Sequence, residues 1–417
     1  MKAEIIAAGS ELLTPYRLDT NSLFLTGRLN LLGIRVTRKV IVGDSREDLV
    51  DAFRDALERA NVVISIGGLG PTEDDLTREA LAELLGLRLV RHEEILQGIR
   101  DRFRRFGRTM PESNVRQAMV PEGAEVLANP LGTAPGLWLE TRGYIAVLLP
   151  GPPGELEAMF NREVEPRLAH RGPSQRLHTR ELRVVGMSES DLDSRIAPIY
   201  SQYEGLETSI LAARGEIQIH PRIWSSDSTS AERLLDNLVK KIEIALGDCV
   251  FSTTREPLEF VVGAALRAHD ATIATAESCT GGLLAERLTR VPGSSVYFPG
   301  GIVCYSNDWK TEWTGVPAET IETHGAVSSE VAIALAEGIR RRSSTTLGVG
   351  ITGIAGPDGG TPEKPVGTVH IALASEGGCK EKQFRFPGER EQVRWSATQM
   401  ALDWVRMYFL DDTRRAT

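Results

Sequence analysis

The chain has 417 residues, 41% hydrophobic and 25% charged, with a formal net charge of -9. This length is typical of two or three domains. The acidic balance argues against a nucleic-acid partner held by bulk electrostatics, and no apolar run approaches the ~20 residues that span a bilayer. Four scattered cysteines without a C-x-x-C pair indicate reduced thiols rather than zinc or disulfides. Because the N-terminus runs directly into a strand-like segment, we expect no signal peptide and a cytoplasmic location.

The first 170 residues alternate short apolar runs with helical patterns. Strands are predicted at 5–8, 36–42, 62–66 and 145–149. Ser45 can cap a helix over 48–60, and Thr77 begins a helix that Gly86 can end. This alternation predicts an α/β domain with a mostly parallel sheet.

A polar, turn-rich stretch at 169–175 interrupts that pattern. A strand at 182–185, a helix opened by Ser188 or Ser190, two strands around Ile210 and 217–223, and a helix over 231–246 follow. They predict a small α+β module, in which His220 is expected to be structural. A third segment begins near Pro257 and again alternates helix and strand, which predicts a second α/β domain.

The first candidate site is the glycine loop GGLGPTEDDLT (67–77), between a predicted strand and a predicted helix. Backbone amides of such a loop can approach an anion closely. Two adjacent carboxylates repel a bare phosphate, so they indicate a divalent cation between carboxylate and phosphate oxygens. The alternative is an ordinary strand-to-helix turn whose acids complement the helix dipole. The candidate residues are Gly67, Gly68, Gly70, Thr72, Asp74 and Asp75.

Further loops are expected to border the same cleft, since ligands of open α/β sheets bind at the carboxyl ends of the strands. One follows the first strand and contains Glu11. Another, rich in glycine and proline, contains Asn129, Gly132 and Thr133, and a third lies at 149–155.

The second candidate site lies in AESCTGG (276–282), also after a predicted strand. Ser278 at such a turn can act as a nucleophile if a base is near, and Lys310 is a candidate base because Ser–Lys pairs replace Ser–His–Asp in some enzymes. Three alternatives remain open: Ser278 as a helix cap, Cys279 as the nucleophile, and Lys310 as a surface residue. A glycine-rich loop at 352–360 could hold a phosphate.

The first loop, with DTN (19–21) upstream and GTAPG (132–136) downstream, resembles the CinA (competence/damage-inducible protein) family. The resemblance implies an N-terminal fold like that of molybdopterin-binding proteins. It also implies divalent-metal-dependent hydrolysis of ADP-ribose to AMP and ribose 5-phosphate, with Asp74, Asp75 and Glu11 as metal ligands. The family often has Gly-Asp-Glu after the first strand, whereas this chain has Gly9-Ser10-Glu11.

The motifs AESCTGG (276–282), YSNDWK (305–310), TGIAGPDGG (352–360) and KPVGTV (364–369) resemble the nicotinamide-nucleotide amidase domain found alone or at the C-terminus of CinA proteins. The resemblance implies hydrolysis of nicotinamide mononucleotide to the acid nucleotide and ammonia without a cofactor. Ser278 would be the nucleophile and Lys310 its base, with Tyr305 assisting proton transfer. The implied substrate-binding residues are Thr280, Gly281, Gly282, Asn307, Gly353 and Gly356.

The middle module resembles the KH-like subdomain of CinA proteins but lacks the G-x-x-G loop that clamps RNA, so we expect it to serve spacing and dimerisation. The expected architecture is a molybdopterin-binding-like three-layer domain at 1–170, a KH-like module at 171–254 and an α/β amidase domain at 255–417, assembled as a homodimer. Two other functions remain open. One is a nucleotide- or pterin-binding accessory protein without turnover, and the other is an interaction protein for competence or DNA damage.

Overall fold

The computed structural model describes residues 1–141 and 143–416, and the chain divides into two units. The first unit comprises Met1–His178 with Trp224–Ala231, and the second comprises Thr179–Ile223 and the chain from Glu232 onward. The predicted middle module therefore groups mostly with the C-terminal domain. The domain boundaries at 170 and 254 stay predictions. Among the described residues, no helix is both long enough and apolar enough to cross a membrane.

The N-terminal domain is a sheet with helices packed against it. Its strands and helices in chain order are β1 (Lys2–Ala8), α1 (Asn21–Leu31), β2 (Arg35–Val42), α2 (Arg46–Arg59), β3 (Val62–Ile66), α3 (Thr77–Leu84), β4 (Leu89–Arg91), α4 (Glu93–Arg105), β5 (Met119–Pro121), β6 (Glu125–Leu127), β7 (Gly136–Glu140), β8 (Ile145–Leu149), α5 (Pro153–Met159) and α6 (Glu165–Ala169).

The main sheet has the strand order β2-β1-β3-β8-β7-β6. Its first four strands are parallel, and β7 and β6 are antiparallel. Every residue of β3 and β8 is buried, which explains their continuous apolar sequences. Ser45 caps α2, as predicted, by accepting a hydrogen bond from the Asp48 amide. The mostly parallel sheet is confirmed.

The middle module is an antiparallel sheet with two helices. Its elements are β9 (Arg176–Thr179), β10 (Leu182–Val184), α7 (Glu189–Tyr200), β11 (Leu206–Ala213), β12 (Glu216–Ser225), α8 (Ser228–Leu246) and β13 (Val250–Ser252). The sheet order is β11-β12-β10-β13. Ser188, rather than Ser190, caps α7 by accepting from the Asp191 amide.

The C-terminal domain is a second α/β domain. Its elements are α9 (Leu258–Ala268), β14 (Ile273–Glu277), α10 (Leu283–Thr289), β15 (Gly300–Val303), α11 (Asn307–Thr314), α12 (Ala318–His324), α13 (Ser329–Ser343), β16 (Leu347–Gly353), β17 (Thr368–Ser375), β18 (Gly378–Arg385) and α14 (Arg390–Ala416).

Its sheet has the order β15-β14-β16-β17-β18. The strands β15, β14 and β16 are parallel, and β17 and β18 are antiparallel. A large apolar core joins one face of this sheet to α9, α10 and α14, and a smaller one joins the other face to α13. The carboxyl ends of the three parallel strands therefore lie at one edge, where the second candidate site was predicted.

Candidate functional site

The glycine loop of the N-terminal domain follows β3 and packs tightly against the start of α3. Gly68 has a φ of +65°, and an added Cβ would overlap the Thr77 hydroxyl. The Thr77 hydroxyl donates to the Gly67 carbonyl at 2.9 Å. Only glycine allows this approach, so Gly68 fixes the path of the loop.

The Asp75 carboxylate fills the concave side of this loop. It accepts hydrogen bonds from the Gly70 amide at 2.7 Å and from the Thr72 amide at 2.8 Å, and also from the Thr72 hydroxyl. The Gly67 amide donates to the Leu149 carbonyl at 2.9 Å. Three of the amides that the sequence suggested for an anion are thus bonded within the protein. Asp75 has a structural task that its sequence position did not predict.

Asp74 differs from its neighbour because its side chain is exposed. The neighbouring polar side chain of Thr72 lowers the pKa of the Asp74 carboxyl, with a smaller contribution from the charge of Arg116. Asp74 is therefore ionised at neutral pH and faces solvent. Neither aspartate lies in the first turn of α3, which begins at Thr77, so the alternative that they are ordinary first-turn acids is wrong.

Two arginines that the sequence did not single out hold this loop. Arg78 is fully buried and donates to the Leu69 carbonyl at 2.8 Å and the Gly70 carbonyl at 3.4 Å; burial lowers its pKa. Arg116 donates to the Thr72 carbonyl at 2.6 Å and the Asp75 carbonyl at 3.2 Å. In the sequence, each appears only as a positively charged residue within or near a helical pattern of apolar residues, which does not indicate a contact with the loop.

A cleft of about 340 Å³ lies over the glycine loop. The acidic side chains along it are Glu11, Asp44, Asp74, Asp75 and Glu155, and the predicted residues Gly67, Gly68, Gly70, Thr72 and Thr133 also line it. The structure thus brings together residues from the four loops that the sequence predicted at this edge, and Asp44 adds a fifth loop, after β2.

Several of these carboxylates already have partners. Asp44 accepts from the Ser10 amide at 2.8 Å, and its own amide donates to the Ser10 hydroxyl at 3.0 Å. Glu155 accepts from the Asn129 side chain at 2.7 Å. Ser10, which stands where the family often has aspartate, therefore ties the first loop to the end of β2.

The carboxylates of this cleft suit a hard divalent cation whose coordination shell is completed by oxygens from outside the protein. Among the described residues, no three His, Cys, Asp or Glu side chains are close enough to hold a metal by themselves. Mg²⁺ commonly takes one or two carboxylates together with substrate phosphates and water. The carboxylates of Asp74 and Glu11 line the cleft and are exposed, so they fit a divalent cation that takes its other ligands from outside the protein.

Asn129 organises a second loop at this cleft. Its side-chain oxygen accepts from the Gly132 amide at 2.7 Å, and its amide group donates to the Ala134 carbonyl at 2.8 Å. The side chain is thereby bonded within the protein. Of the residues predicted in this loop, Thr133 is the one that lines the cleft.

The second site lies at the carboxyl edge of β15, β14 and β16. Glu277 pairs with Val303 on one side and Ile351 on the other. The Ser278 amide donates to the Ile351 carbonyl at 2.9 Å, and the Cys304 amide donates to the Glu277 carbonyl at 2.8 Å. The loops that follow the three strands therefore start side by side, about 4.8 Å apart.

Ser278 is nearly buried, with 8% of its surface exposed. It is not a helix cap, because α10 begins at Leu283, after Gly282, which has a φ of +88°. The Glu277 carboxylate caps this helix instead, accepting from the Leu284 amide at 3.0 Å and the Ala285 amide at 2.8 Å. The alternative that Ser278 is a cap is thus wrong.

Lys310 is not a surface residue, since only 2% of it is exposed. Its Nζ donates to the carbonyls of Tyr305 at 3.2 Å and Ser306 at 3.5 Å. Burial lowers the pKa of its ammonium group. No hydrogen bond joins Lys310 to Ser278 among the described residues. The lysine lies in the first turn of α11, which follows the loop after β15.

Cys279 is a poor nucleophile in this environment. Burial raises the pKa of its thiol to about 12, so the reactive thiolate is scarce at neutral pH. The neighbouring Cys304 is buried as well, and its pKa is raised to about 11. Burial thus disfavours both thiols as nucleophiles, and the Ser278 hydroxyl stays the candidate nucleophile.

Two arginines at the start of α14 connect the loops of this site. Arg390 donates to the Tyr305 hydroxyl at 2.9 Å and to the Gly356 carbonyl at 2.8 Å. Arg394 donates to the Thr280 carbonyl through two of its nitrogens, at 3.1 and 2.7 Å. They lie about 110 residues after the serine, and no short motif around them revealed their position.

Comparison with known proteins identifies the family. Residues 4–170 match the molybdopterin-binding domain model, residues 179–252 the CinA KH domain model and residues 255–409 the CinA C-terminal domain model. A CinA-like protein of Koribacter versatilis is 52% identical over 97% of this chain and 99% of its own length. The chain belongs to the CinA family.

A further CinA-like protein, from Solibacter usitatus, is 50% identical over the whole of both chains. The crystal structure of a CinA protein from Thermoplasma acidophilum is 34% identical, covers 40% of this chain and 97% of its own, and superposes with a TM-score of 0.38. The family model matches confirm the predicted fold, with a molybdopterin-binding-like domain, a KH-like module and a CinA C-terminal domain.

The remaining predicted substrate-binding residues of the C-terminal site in this CinA-family chain differ in burial and in hydrogen bonding. Thr280 is fully buried, and its hydroxyl has no hydrogen-bond partner among the described residues. The Gly281 amide donates to the Ser278 carbonyl at 3.1 Å. Gly353 is paired with Val369 inside the sheet. Asn307 is exposed in the first turn of α11.

Proposed function

We propose that the chain is a hydrolase with two separate active sites. The C-terminal domain would deamidate nicotinamide mononucleotide, and the N-terminal domain would hydrolyse ADP-ribose to AMP and ribose 5-phosphate with a divalent metal. The observation that supports this most is that Ser278 and Tyr305 lie in the loops after two neighbouring strands. Lys310 follows in the first turn of α11, where it is buried and its pKa is lowered.

In the proposed amidase reaction, Ser278 Oγ attacks the carboxamide carbon while neutral Lys310 accepts the hydroxyl proton. The Thr280 hydroxyl, which is buried and has no hydrogen-bond partner in the described part of the chain, would donate to the developing oxyanion. Collapse of the tetrahedral intermediate breaks the C–N bond, and Lys310 returns the proton to the leaving ammonia.

Water then hydrolyses the acyl-enzyme. Lys310 again accepts a proton, now from the attacking water, and returns it to Ser278 Oγ as the ester bond breaks, which regenerates the serine and releases the acid nucleotide. Because no cofactor takes part, this reaction needs only a lysine that is uncharged for part of the time. Desolvation of Lys310 supplies that condition.

The nucleotide phosphate would bind at Arg390 and Arg394, through the N–H groups that their bonds to Tyr305, Gly356 and Thr280 do not use. Arg390 bridges the Tyr305 and Gly356 loops, and guanidinium groups suit phosphate oxygens in number and geometry. Tyr305 is held by Arg390 at the mouth of the site, with 59% of its surface exposed. This position favours contact with the substrate and proton exchange with solvent.

In the N-terminal domain, Asp74 and Glu11 would hold the metal together with the substrate diphosphate. The metal would supply charge neutralisation of the phosphoanhydride. The residues of the glycine loop would orient the substrate, and Asp75 and Arg78 hold that loop in place. We also propose a cytoplasmic homodimer with these small nucleotides as its partners.

The test offers both substrates to the purified protein with and without a chelator. We expect nicotinate mononucleotide and ammonia to form equally in both conditions, and AMP with ribose 5-phosphate to form only without chelator. Absence of both product pairs from a folded protein would reject the hydrolase and favour a nucleotide- or pterin-binding protein.

A further inference from the structure

A second cavity, also of about 340 Å³, lies at the end of α4. It is lined by Arg102, Phe103, Phe106, Arg108 and Thr133. Thr133 also lines the acidic cleft over the glycine loop. The two cavities therefore share this lining residue.

The local backbone holds this cavity in shape. Gly107, with a φ of +67°, ends α4; its amide donates to the Arg104 carbonyl, and the Arg108 amide donates to the Phe103 carbonyl, both at 3.0 Å. This pattern is a Schellman motif, and it brings Arg108 back beside Phe103. The cavity wall is thus formed before a ligand binds.

Arg102 connects this wall to the loop that carries Thr133. Its guanidinium donates to the Pro130 carbonyl at 3.2 Å and also to the Leu131 carbonyl. The position of α4 and the position of Thr133 are therefore coupled. Arg102 has this structural task and is not free to bind a ligand with both its terminal nitrogens.

Phe106 and Arg108 are the groups left available. Phe106 has 71% of its surface exposed, although water is an unfavourable environment for a large aromatic ring. Among the described residues, no hydrogen bond or ion pair holds the Arg108 guanidinium. An aromatic face beside a guanidinium suits a flat, electron-rich ring, because both groups stack on such rings.

The two cavities differ in charge, and each suits a different part of one nucleotide. The acidic cleft suits a metal and a diphosphate, and the α4 cavity is basic and aromatic. A single nucleotide fits this arrangement better than a nucleic-acid strand, since Arg104 on the same helix is paired with Asp101 at 3.0 Å and the chain carries a net charge of -9.

We propose that the α4 cavity binds the nucleobase of the N-terminal domain's nucleoside diphosphate substrate, with Phe106 stacked on the base and Arg108 beside it. This inference rests on the proposed phosphoanhydride hydrolysis for the position of the diphosphate. Phe106 and Arg108 thereby select nucleotides over sugar phosphates.

The test measures equilibrium binding of AMP and of ribose 5-phosphate, and separately the steady-state hydrolysis of ADP-ribose with metal. Loss of one base–aromatic stack weakens binding about tenfold. We expect Phe106→Ala to raise the Kd for AMP and the KM for ADP-ribose about tenfold, with kcat and ribose 5-phosphate binding unchanged. Phe106→Tyr retains the ring and should restore AMP binding.

The matched control for Arg108→Ala is Arg105→Ala, which also removes one positive charge near the end of α4 but lies outside the cavity. It should leave AMP binding unchanged, whereas Arg108→Ala weakens it. Unchanged AMP binding in both Phe106→Ala and Arg108→Ala, or no AMP binding by the wild type, overturns the inference. AMP binding that depends on Phe106 without any ADP-ribose hydrolysis supports the base site and rejects the proposed reaction.

Discussion

Lys310 must lose its proton before it can activate Ser278, and its burial makes that loss easier. We expect kcat/KM for ammonia release to rise with pH through a lowered lysine pKa, one that lies below the ordinary 10.5. The measurement is a pH profile of the wild type beside Lys310→Arg. The arginine stays protonated, so that variant should lose at least about 100-fold in rate, and retained activity with an unchanged profile would exclude Lys310 as the base.

Asp74 and Asp75 are adjacent in sequence but have different environments. Asp74 is exposed, and the carboxylate of Asp75 is hydrogen-bonded to the glycine loop. We predict that Asp74→Asn raises the metal concentration needed for half-maximal ADP-ribose hydrolysis at least about tenfold, because it removes a charged oxygen ligand.

In Asp75→Asn the metal requirement should change little, while kcat falls because the loop loses acceptors for its amides. Metal titration of both variants, side by side, separates the two roles. Equal changes in metal requirement would contradict the assignment of Asp75 to the loop.

At the scale of single elements, α10 depends on Glu277 for its start. The carboxylate accepts from two amides of the first helical turn, and Glu277 is 1% exposed. We expect Glu277→Gln to lower the free energy of unfolding by about 1–2 kcal/mol, since it weakens two charge-assisted capping bonds. Urea denaturation measures the loss, and Glu286→Gln, which alters an exposed pair with Arg290 on the same helix, should cost much less.

The elements themselves could be predicted where the pattern was strong. The apolar runs of β3 and β8 and the cap at Ser45 were visible in the sequence because each depends on neighbouring residues. The cap of α10 could not be assigned, because the chain turns through Gly281 and Gly282 and shifts the helix start by several residues. Ser278 has the sequence signature of a cap, but the structure gives that role to Glu277.

Much of each site could likewise be predicted because loops after adjacent parallel strands must meet at one edge. The arginines could not: Arg78 and Arg116 reach the first loop from a helix and a 3-10 turn, and Arg390 and Arg394 reach the second from the start of the last helix. Their contacts depend on tertiary packing, for which the sequence carries no local signal.

At the scale of the whole molecule, the two candidate sites lie in different units of the chain. We therefore predict that each reaction survives loss of the other. Ser278→Ala should leave ADP-ribose hydrolysis within about twofold of the wild type, and Asp74→Asn should leave ammonia release equally unaffected. Loss of both activities from either single substitution would show that the sites do not act independently.

The most direct test compares ammonia release from nicotinamide mononucleotide by the wild type, Ser278→Ala and Cys279→Ala. Ser278→Ala should lose at least about 10³-fold in rate, because the nucleophile is gone. Cys279→Ala should keep most of the activity, since the Cys279 thiol, with its pKa raised to about 12, is protonated at neutral pH. Retained release in Ser278→Ala, or its loss in a folded Cys279→Ala, would contradict the serine amidase.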